Sequence, residues 1–171
     1  MSNYRLTYSK AEDRLLLSIE NGQTSAALTR RLTRSLLQTL AKAIGEQKSA
    51  ASGKSEALRN TIMGFEHAKA TTEAFGEGRA RREKHQAPDP GSCKVATVVE
   101  LAVRQSGGAI LTFKHADEKV LALNLNRDGT YLFIASVAEM ATTAEWDFGT
   151  IASWLEPAAA TAAEAGAKVL H

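Results

Sequence analysis

The sequence has little cysteine, few aromatic residues and no long apolar run. Cys93 is the single cysteine among 171 residues, which excludes an internal disulfide and is typical of proteins in a reducing compartment. No apolar stretch approaches the roughly 20 residues that a membrane-spanning helix needs. The N-terminal residues MSNYRLTYSK contain no apolar signal-peptide core. We therefore expect a cytoplasmic protein that does not enter a membrane.

Motifs for metal sites, nucleotide-binding loops and hydrolase nucleophiles are also missing. The sequence contains four histidines: His67, His85, His115 and His171. They show no metal-ligand spacing, and neither a GxxxxGK[ST] loop nor a GxSxG elbow occurs. Cys93 has no helix start or paired base beside it to activate its thiol, so we expect it to be inert. We expect His67 to be solvated on its helix.

The sequence therefore predicts no cofactor, no metal ion and no catalytic residue. An enzyme would have to bring together groups from distant segments, such as His115, Asp128 and Tyr131, and the sequence offers no geometry for them. Our prediction is a protein that is not an enzyme.

The rest of the composition is ordinary for a globular protein, with 44% hydrophobic and 23% charged residues. The length allows one domain with a substantial core. We predict a single α+β domain over residues 1–156, with a mobile basic loop at about 76–92. Residues 157–171 are rich in alanine, have few apolar anchors, and are predicted to form a frayed tail.

The stretch Leu28–Ile44 is the strongest helical pattern in the chain. Its apolar residues recur at spacings of three and four and form one stripe: Leu28, Leu32, Leu36, Leu37, Leu40 and Ile44. Thr29 is a suitable N-cap and Gly45 a suitable end. Glu46–Ser55 is small and polar and is predicted to be a flexible connection.

Glu56–Phe75 shows a second helical pattern that is thinner than the first. Leu58, Ile62 and Phe65 fall on one face of it. This face is one of the surfaces that we expect to be available for contact with another protein.

Strands are predicted on both sides of the two helices. Three strands come first, over Tyr4–Tyr8, Arg14–Glu20 and Thr24–Leu28, with a hairpin turn at Asn21-Gly22. Four strands follow the helices, over Val95–Arg104, Ala109–His115, Lys119–Asn126 and Thr130–Ala135. Short connections between these four predict an antiparallel meander.

A further helix is predicted from Ser136, because Ser136–Glu139 matches a capping box, and a short helical piece is predicted over Ile151–Leu155. The predicted fold is therefore α+β. It consists of an antiparallel three-stranded hairpin and meander, a helical insert, a four-stranded antiparallel meander and a C-terminal helix. We expect the strands to form a sandwich-like or rolled sheet.

Charge is distributed unevenly although the whole chain carries only +2. The segment 29–84 contains 12 basic and 6 acidic residues, and the remainder of the chain is net acidic. Seven of these basic residues are candidate contacts to phosphates or to an acidic partner: Arg30, Arg31, Arg34, Arg79, Arg81, Arg82 and Lys84. Equally, the basic and acidic parts of the chain could neutralise each other.

These observations favour a non-catalytic binding or assembly protein that acts through protein–protein contacts. The contact surface would be an exposed strand edge or the Glu56–Phe75 face, and a homodimer is one expected form. The alternative is nucleic-acid binding through the basic segment 29–84.

Overall fold

A computed structural model of the chain describes residues 4–19, 24–52, 55–78 and 90–155. The strands are β1 (Tyr4–Ser9), β2 (Arg14–Ile19), β3 (Thr24–Thr29), β4 (Lys94–Val95), β5 (Val98–Val103), β6 (Ala109–His115) and β7 (Glu118–Leu125). The helices are α1 (Arg30–Ser52), α2 (Glu56–Gly78) and α3 (Arg127–Thr143), with 3-10 turns at Pro90–Ser92 and Ser153–Leu155. The predicted α+β class and the order of its parts are confirmed.

The first sheet has the order β1-β2-β3-β4 and is antiparallel except for its last pair. Alternation along β2 places Leu15 and Leu17 in the main core. Leu16 lies on the opposite face in a smaller apolar cluster with Ala27 and Cys93. Both faces of β2 are therefore buried, which agrees with its nearly continuous apolar sequence.

The chain passes from the first sheet to the second between Ala96 and Thr97. The amide of Ala96 donates to the Ala27 carbonyl at 2.8 Å, whereas the amide of Thr97 donates to the Lys114 carbonyl at 2.8 Å. The predicted single strand Val95–Arg104 is thus wrong, because its backbone changes hydrogen-bonding partner at this point. Lys94–Val95 pairs in parallel with β3, and Val98–Val103 begins the second sheet.

The second sheet is an antiparallel meander with the order β5-β6-β7. Leu111 pairs with Leu101 on one side and with Leu123 on the other. The same face continues to Phe113 and Leu121, which pair with each other. These apolar side chains line up because alternate residues of a strand share one face, as the sequence predicts.

Helix α1 confirms the predicted leucine stripe. Leu36, Leu37, Leu40 and Ile44 are buried, and Leu32 is half-buried against the same core. Thr29 acts as the N-cap, because its hydroxyl accepts a hydrogen bond from the Leu32 amide at 3.3 Å.

The predicted end of this helix at Gly45 is wrong. Gly45 does not adopt the positive φ of a terminating glycine, and α1 continues to Ser52. Most of the predicted flexible connection Glu46–Ser55 is therefore helical. A glycine inside a helix costs about 1 kcal/mol relative to alanine, which does not end a helix that is held by packing. The Gln47 side chain donates to the Arg104 carbonyl and ties this part of α1 to the end of β5.

The predicted fourth strand Thr130–Ala135 is also wrong, since it lies within α3. Its residues are apolar on every side, so the pattern does not separate a buried helix from a buried strand. Asn126 decides the structure, because its side chain accepts a hydrogen bond from the Gly129 amide at 2.8 Å and caps the helix. Residues Arg127–Gly129 form its first turn, and Ser136, predicted to start a helix, is buried in the middle of α3.

Both sheets and all three helices contribute to one main core in the part of the chain that the structure describes. The middle of the predicted basic loop and the predicted tail lie outside the described residues, so the predicted division of the chain stays a prediction. Within the described residues, no helix combines the length and the apolar character needed to cross a bilayer.

Candidate functional site

Helix α2 packs on the rest of the protein through an unusual set of residues. Its inner positions Met63, Glu66, His67 and Ala70 follow the spacing i, i+3, i+4, i+7 that defines one helix face. Met63 and Ala70 are buried, and Glu66 and His67 are half-buried. Two of these four residues are polar, so hydropathy alone does not reveal this face.

Large apolar side chains of α2 point outward instead. Phe65 is 72% exposed and Leu58 is 46% exposed, whereas Ile62 between them is half-buried. These residues have the spacing i, i+4, i+7 and therefore form one stripe, which we call the α2 outer face. The periodicity of the sequence places these residues on one face, which we expect to be available to another protein, and Leu58 and Phe65 are exposed on it.

A hydrogen-bonded cluster fixes the orientation of α2. The hydroxyl of Tyr131, on α3, donates to Glu66 Oε2 at 2.8 Å, and the Arg127 guanidinium donates to Glu66 Oε1. Burial, followed by the hydrogen bond to Glu66, raises the pKa of Tyr131. Tyr131 is therefore a neutral donor to the Glu66 carboxylate. Leaving these partly buried polar groups without hydrogen bonds would be costly, so their bonds hold the Glu66 side of α2 inward.

His67 is half-buried rather than fully solvated, which corrects the sequence expectation. Its ring makes edge contacts with Tyr131 and Trp154, with centroid distances of 6.4 and 5.8 Å. Its Nε2 atom is buried and has no hydrogen-bond partner among the described residues. Burial lowers the pKa of His67 from its ordinary value of 6.5, so the neutral imidazole is favoured.

The 3-10 turn at Ser153–Leu155 completes the inner contact of α2. Asn60 Nδ2 donates to Ser153 Oγ at 3.1 Å. A Cβ built on Gly64 would lie 3.6 Å from the Trp154 carbonyl oxygen, so the helix and the turn approach closely here. With its inner face held by these contacts and by α3, α2 leaves the α2 outer face without a cover among the described residues.

Arg30, the first of the candidate phosphate contacts, makes a contact within the fold. Its Nη2 atom lies 3.4 Å from the Asp147 carbonyl oxygen, just beyond the end of α3. Asp13 accepts hydrogen bonds on Oδ1 from Trp146 Nε1 at 2.7 Å and from the Tyr8 hydroxyl at 2.8 Å. These bonds, with a smaller contribution from the positive charge of Arg30, lower the pKa of Asp13 below 3.8. The nearby carboxylate thus offsets the unfavourable cation in the first turn of α1.

The other two arginines of α1 are free of such partners. Arg31 and Arg34 are exposed, and neither forms an ion pair or side-chain hydrogen bond within the described residues. They are three residues apart and therefore lie side by side on the helix. The remaining candidates, Arg79, Arg81, Arg82 and Lys84, lie outside the described residues.

Cys93, His115 and Tyr131 are held in structural contacts. Cys93 is buried and its Sγ lies 3.2 Å from Ser25 Oγ. His115 Nδ1 is 2.8 Å from the Val95 carbonyl oxygen, whereas Tyr131 bonds to Glu66. Among the described residues, no group of three or more His, Cys, Asp or Glu side chains is arranged to hold a metal ion.

Comparisons with protein-family models, with curated proteins and with solved structures found no match to this chain. The α2 outer face and the exposed Arg31 and Arg34 are therefore the features of the described residues that bear on function.

Proposed function

We propose that this chain is a non-catalytic assembly protein that acts through protein–protein contacts, with the α2 outer face as its contact surface. A second copy of the chain is the first partner to test. The observation that carries the proposal is the 72% exposure of Phe65 beside Leu58 on one helix face. Exposed aromatic and apolar side chains in a contiguous patch are typical of protein interfaces.

The way in which α2 is anchored supports this proposal. The helix is anchored on its other side by the bonds among Glu66, Tyr131 and Arg127, so it presents the patch on a rigid element. A rigid helix face loses little side-chain and backbone freedom when a partner binds, which favours affinity. The association would bury Phe65 as the central anchor.

Sedimentation velocity over a wide concentration range tests the proposal. We expect the wild-type chain to associate at high concentration and the Leu58→Ser/Phe65→Ser variant to stay monomeric. Val98→Ser is the matched control, because Val98 is as exposed as Leu58, at 46%, but lies on the edge strand β5. A wild-type chain that stays monomeric throughout contradicts self-association. Association lost only in Val98→Ser would instead assign the contact to the strand edge.

Nucleic-acid binding is the second candidate, and the exposed pair Arg31 and Arg34 favours it. Cations without an acidic partner bind phosphates with the release of counterions, so the affinity falls with salt. The test is a salt titration of binding to a generic duplex and a generic single strand, with the Arg31→Ala/Arg34→Ala variant alongside. Arg30 is kept because it contacts Asp147.

Two lost phosphate contacts would reduce the slope of log affinity against log salt by about 2 on a duplex. Lys42→Ala is the control, because Lys42 is an exposed cation of the same helix that is paired with Glu46 at 3.7 Å. Absence of binding at low salt, or an equal loss in the control, rejects this candidate.

A further inference from the structure

An open cavity of about 920 Å³ lies beside α3, and three residues described above, His67, Trp146 and Asp147, are part of its lining. Its walls come from α1, α2, α3 and the segment that follows α3. This volume is within the range of small-molecule sites, about 300–1,000 Å³. The cavity uses none of the residues of the α2 outer face.

The interior of the cavity is mainly apolar and aromatic. Trp146 and Phe148 line it with their ring centroids 5.8 Å apart and tilted by 45°. Leu37, Ile151 and Leu155 add aliphatic surface. Such a lining favours a ligand with a flat apolar body.

The charged groups of the cavity have one sign. Among the described residues that line it, the charged side chains are Glu139 and Asp147, and both residues are exposed. The Glu139 carboxylate has no hydrogen-bond or ion-pair partner in the described part of the chain. Asp147 Oδ1 accepts from the Gly149 amide at 2.8 Å, and Arg30 approaches the main-chain oxygen of Asp147 rather than its carboxylate. The two carboxylates are therefore available to a cation from solution.

We propose that this cavity binds a small organic cation with an aromatic or apolar body. The body packs against Trp146 and Phe148, and the positive group lies near Glu139 and Asp147. Aromatic rings and carboxylates both attract a cation, whereas an anionic ligand of the same shape is repelled. This site is independent of the proposed assembly function.

The test compares two probes with the same ring system, naphthylmethylamine, a cation at neutral pH, and naphthylacetate, an anion. Binding to the full chain is followed by NMR of ¹⁵N-labelled protein. The chain has two tryptophans, of which Trp146 lines the cavity and Trp154 does not. The indole signal of Trp146, assigned with a Trp154→Phe variant, reports binding in the cavity.

We expect the amine to shift the Trp146 signal at lower concentrations than the carboxylate does. The Glu139→Gln/Asp147→Asn variant should weaken amine binding by about fivefold, the effect expected of two exposed charge pairs, and leave carboxylate binding no weaker. Glu56→Gln/Asp117→Asn is the control, because it removes the same charge from exposed residues that do not line the cavity.

Ala138→Leu narrows the cavity from α3 and should abolish the Trp146 shift with the amine. Three results overturn the proposal: no Trp146 shift with the amine, equal affinities for amine and carboxylate, or equal losses in the two charge variants.

Discussion

Helices α1 and α2 have the same length, 23 residues each, but use their apolar residues in opposite ways. In α1 the large apolar side chains are turned into the core, with Leu37 and Leu40 fully buried. In α2 the apolar residues Leu58 and Phe65 are exposed, and the half-buried Glu66 is bonded on the inner side beside the buried Met63. An amphipathic pattern thus identifies a helix and its faces, whereas the packing of its polar residues decides which face is inside.

The largest contrast between the helices should be in stability. Leu40→Ala in α1 is expected to lower the free energy of unfolding by about 2–5 kcal/mol, because it leaves a cavity in the main core. Phe65→Ala in α2 should change it by no more than about 0.5 kcal/mol, as for other exposed positions. Urea unfolding of dilute protein measures both. Comparable losses in the two variants would show that the α2 outer face is covered in the monomer.

A smaller loss in the free energy of unfolding is expected when the polar groups that hold α2 are changed. Tyr131→Phe removes the donor to Glu66 Oε2 and should cost about 1–2 kcal/mol, because it breaks a partly buried hydrogen bond to a charged group. Arg127→Met and the double variant complete a thermodynamic cycle in the same unfolding assay. Strictly additive effects of the two changes would mean that the cluster does not act as a unit.

The smallest effect concerns the pH dependence of the inner face of α2. Burial lowers the pKa of His67 below 6.5, so the folded state favours the neutral ring. Stability is therefore greatest above pH 6.5, where the ring of His67 is neutral in both the folded and the unfolded chain. It is lost as the pH falls through the lower folded-state pKa, because the unfolded chain takes up the proton more readily. His67→Phe keeps the edge contacts with Tyr131 and Trp154 and removes the titration.

The variant should therefore show a weaker loss of stability on mild acidification than the wild type. The measurement is the urea midpoint as a function of pH, with the exposed His115 replaced by Phe as the control. Parallel pH profiles of the wild type and His67→Phe would contradict the assignment of this loss of stability to His67.

The sequence predicted those parts of the fold that depend on local rules. The leucine stripe of α1, the Thr29 cap and the alternation in β2 and β6 follow from periodicity and local hydrogen bonding. Thr130–Ala135 is wrongly predicted to be a strand, because a run that is almost entirely apolar has no clear period, and the Asn126 cap outweighs its strand propensity. The break between Ala96 and Thr97 depends on two hydrogen bonds to distant strands, which no local pattern encodes.

The candidate sites, too, could be predicted from the sequence only in part. Periodicity grouped Leu58, Ile62 and Phe65, and the uneven distribution of charge singled out Arg30, Arg31 and Arg34. The hydrogen bonds of Arg30 with Asp147 and of Tyr131 with Glu66 join residues that are far apart in the chain. These contacts separate structural residues from available ones, and they appear only in the folded chain.

Thermal unfolding as a function of protein concentration tests the central claim about α2 most directly. If the native chain associates through the α2 outer face, the midpoint of the wild type rises with concentration, whereas that of Phe65→Ser does not. At the lowest concentration the two midpoints should coincide, because Phe65 adds little to the stability of the monomer. A wild-type midpoint independent of concentration, or a Phe65→Ser midpoint that rises equally, would contradict the account.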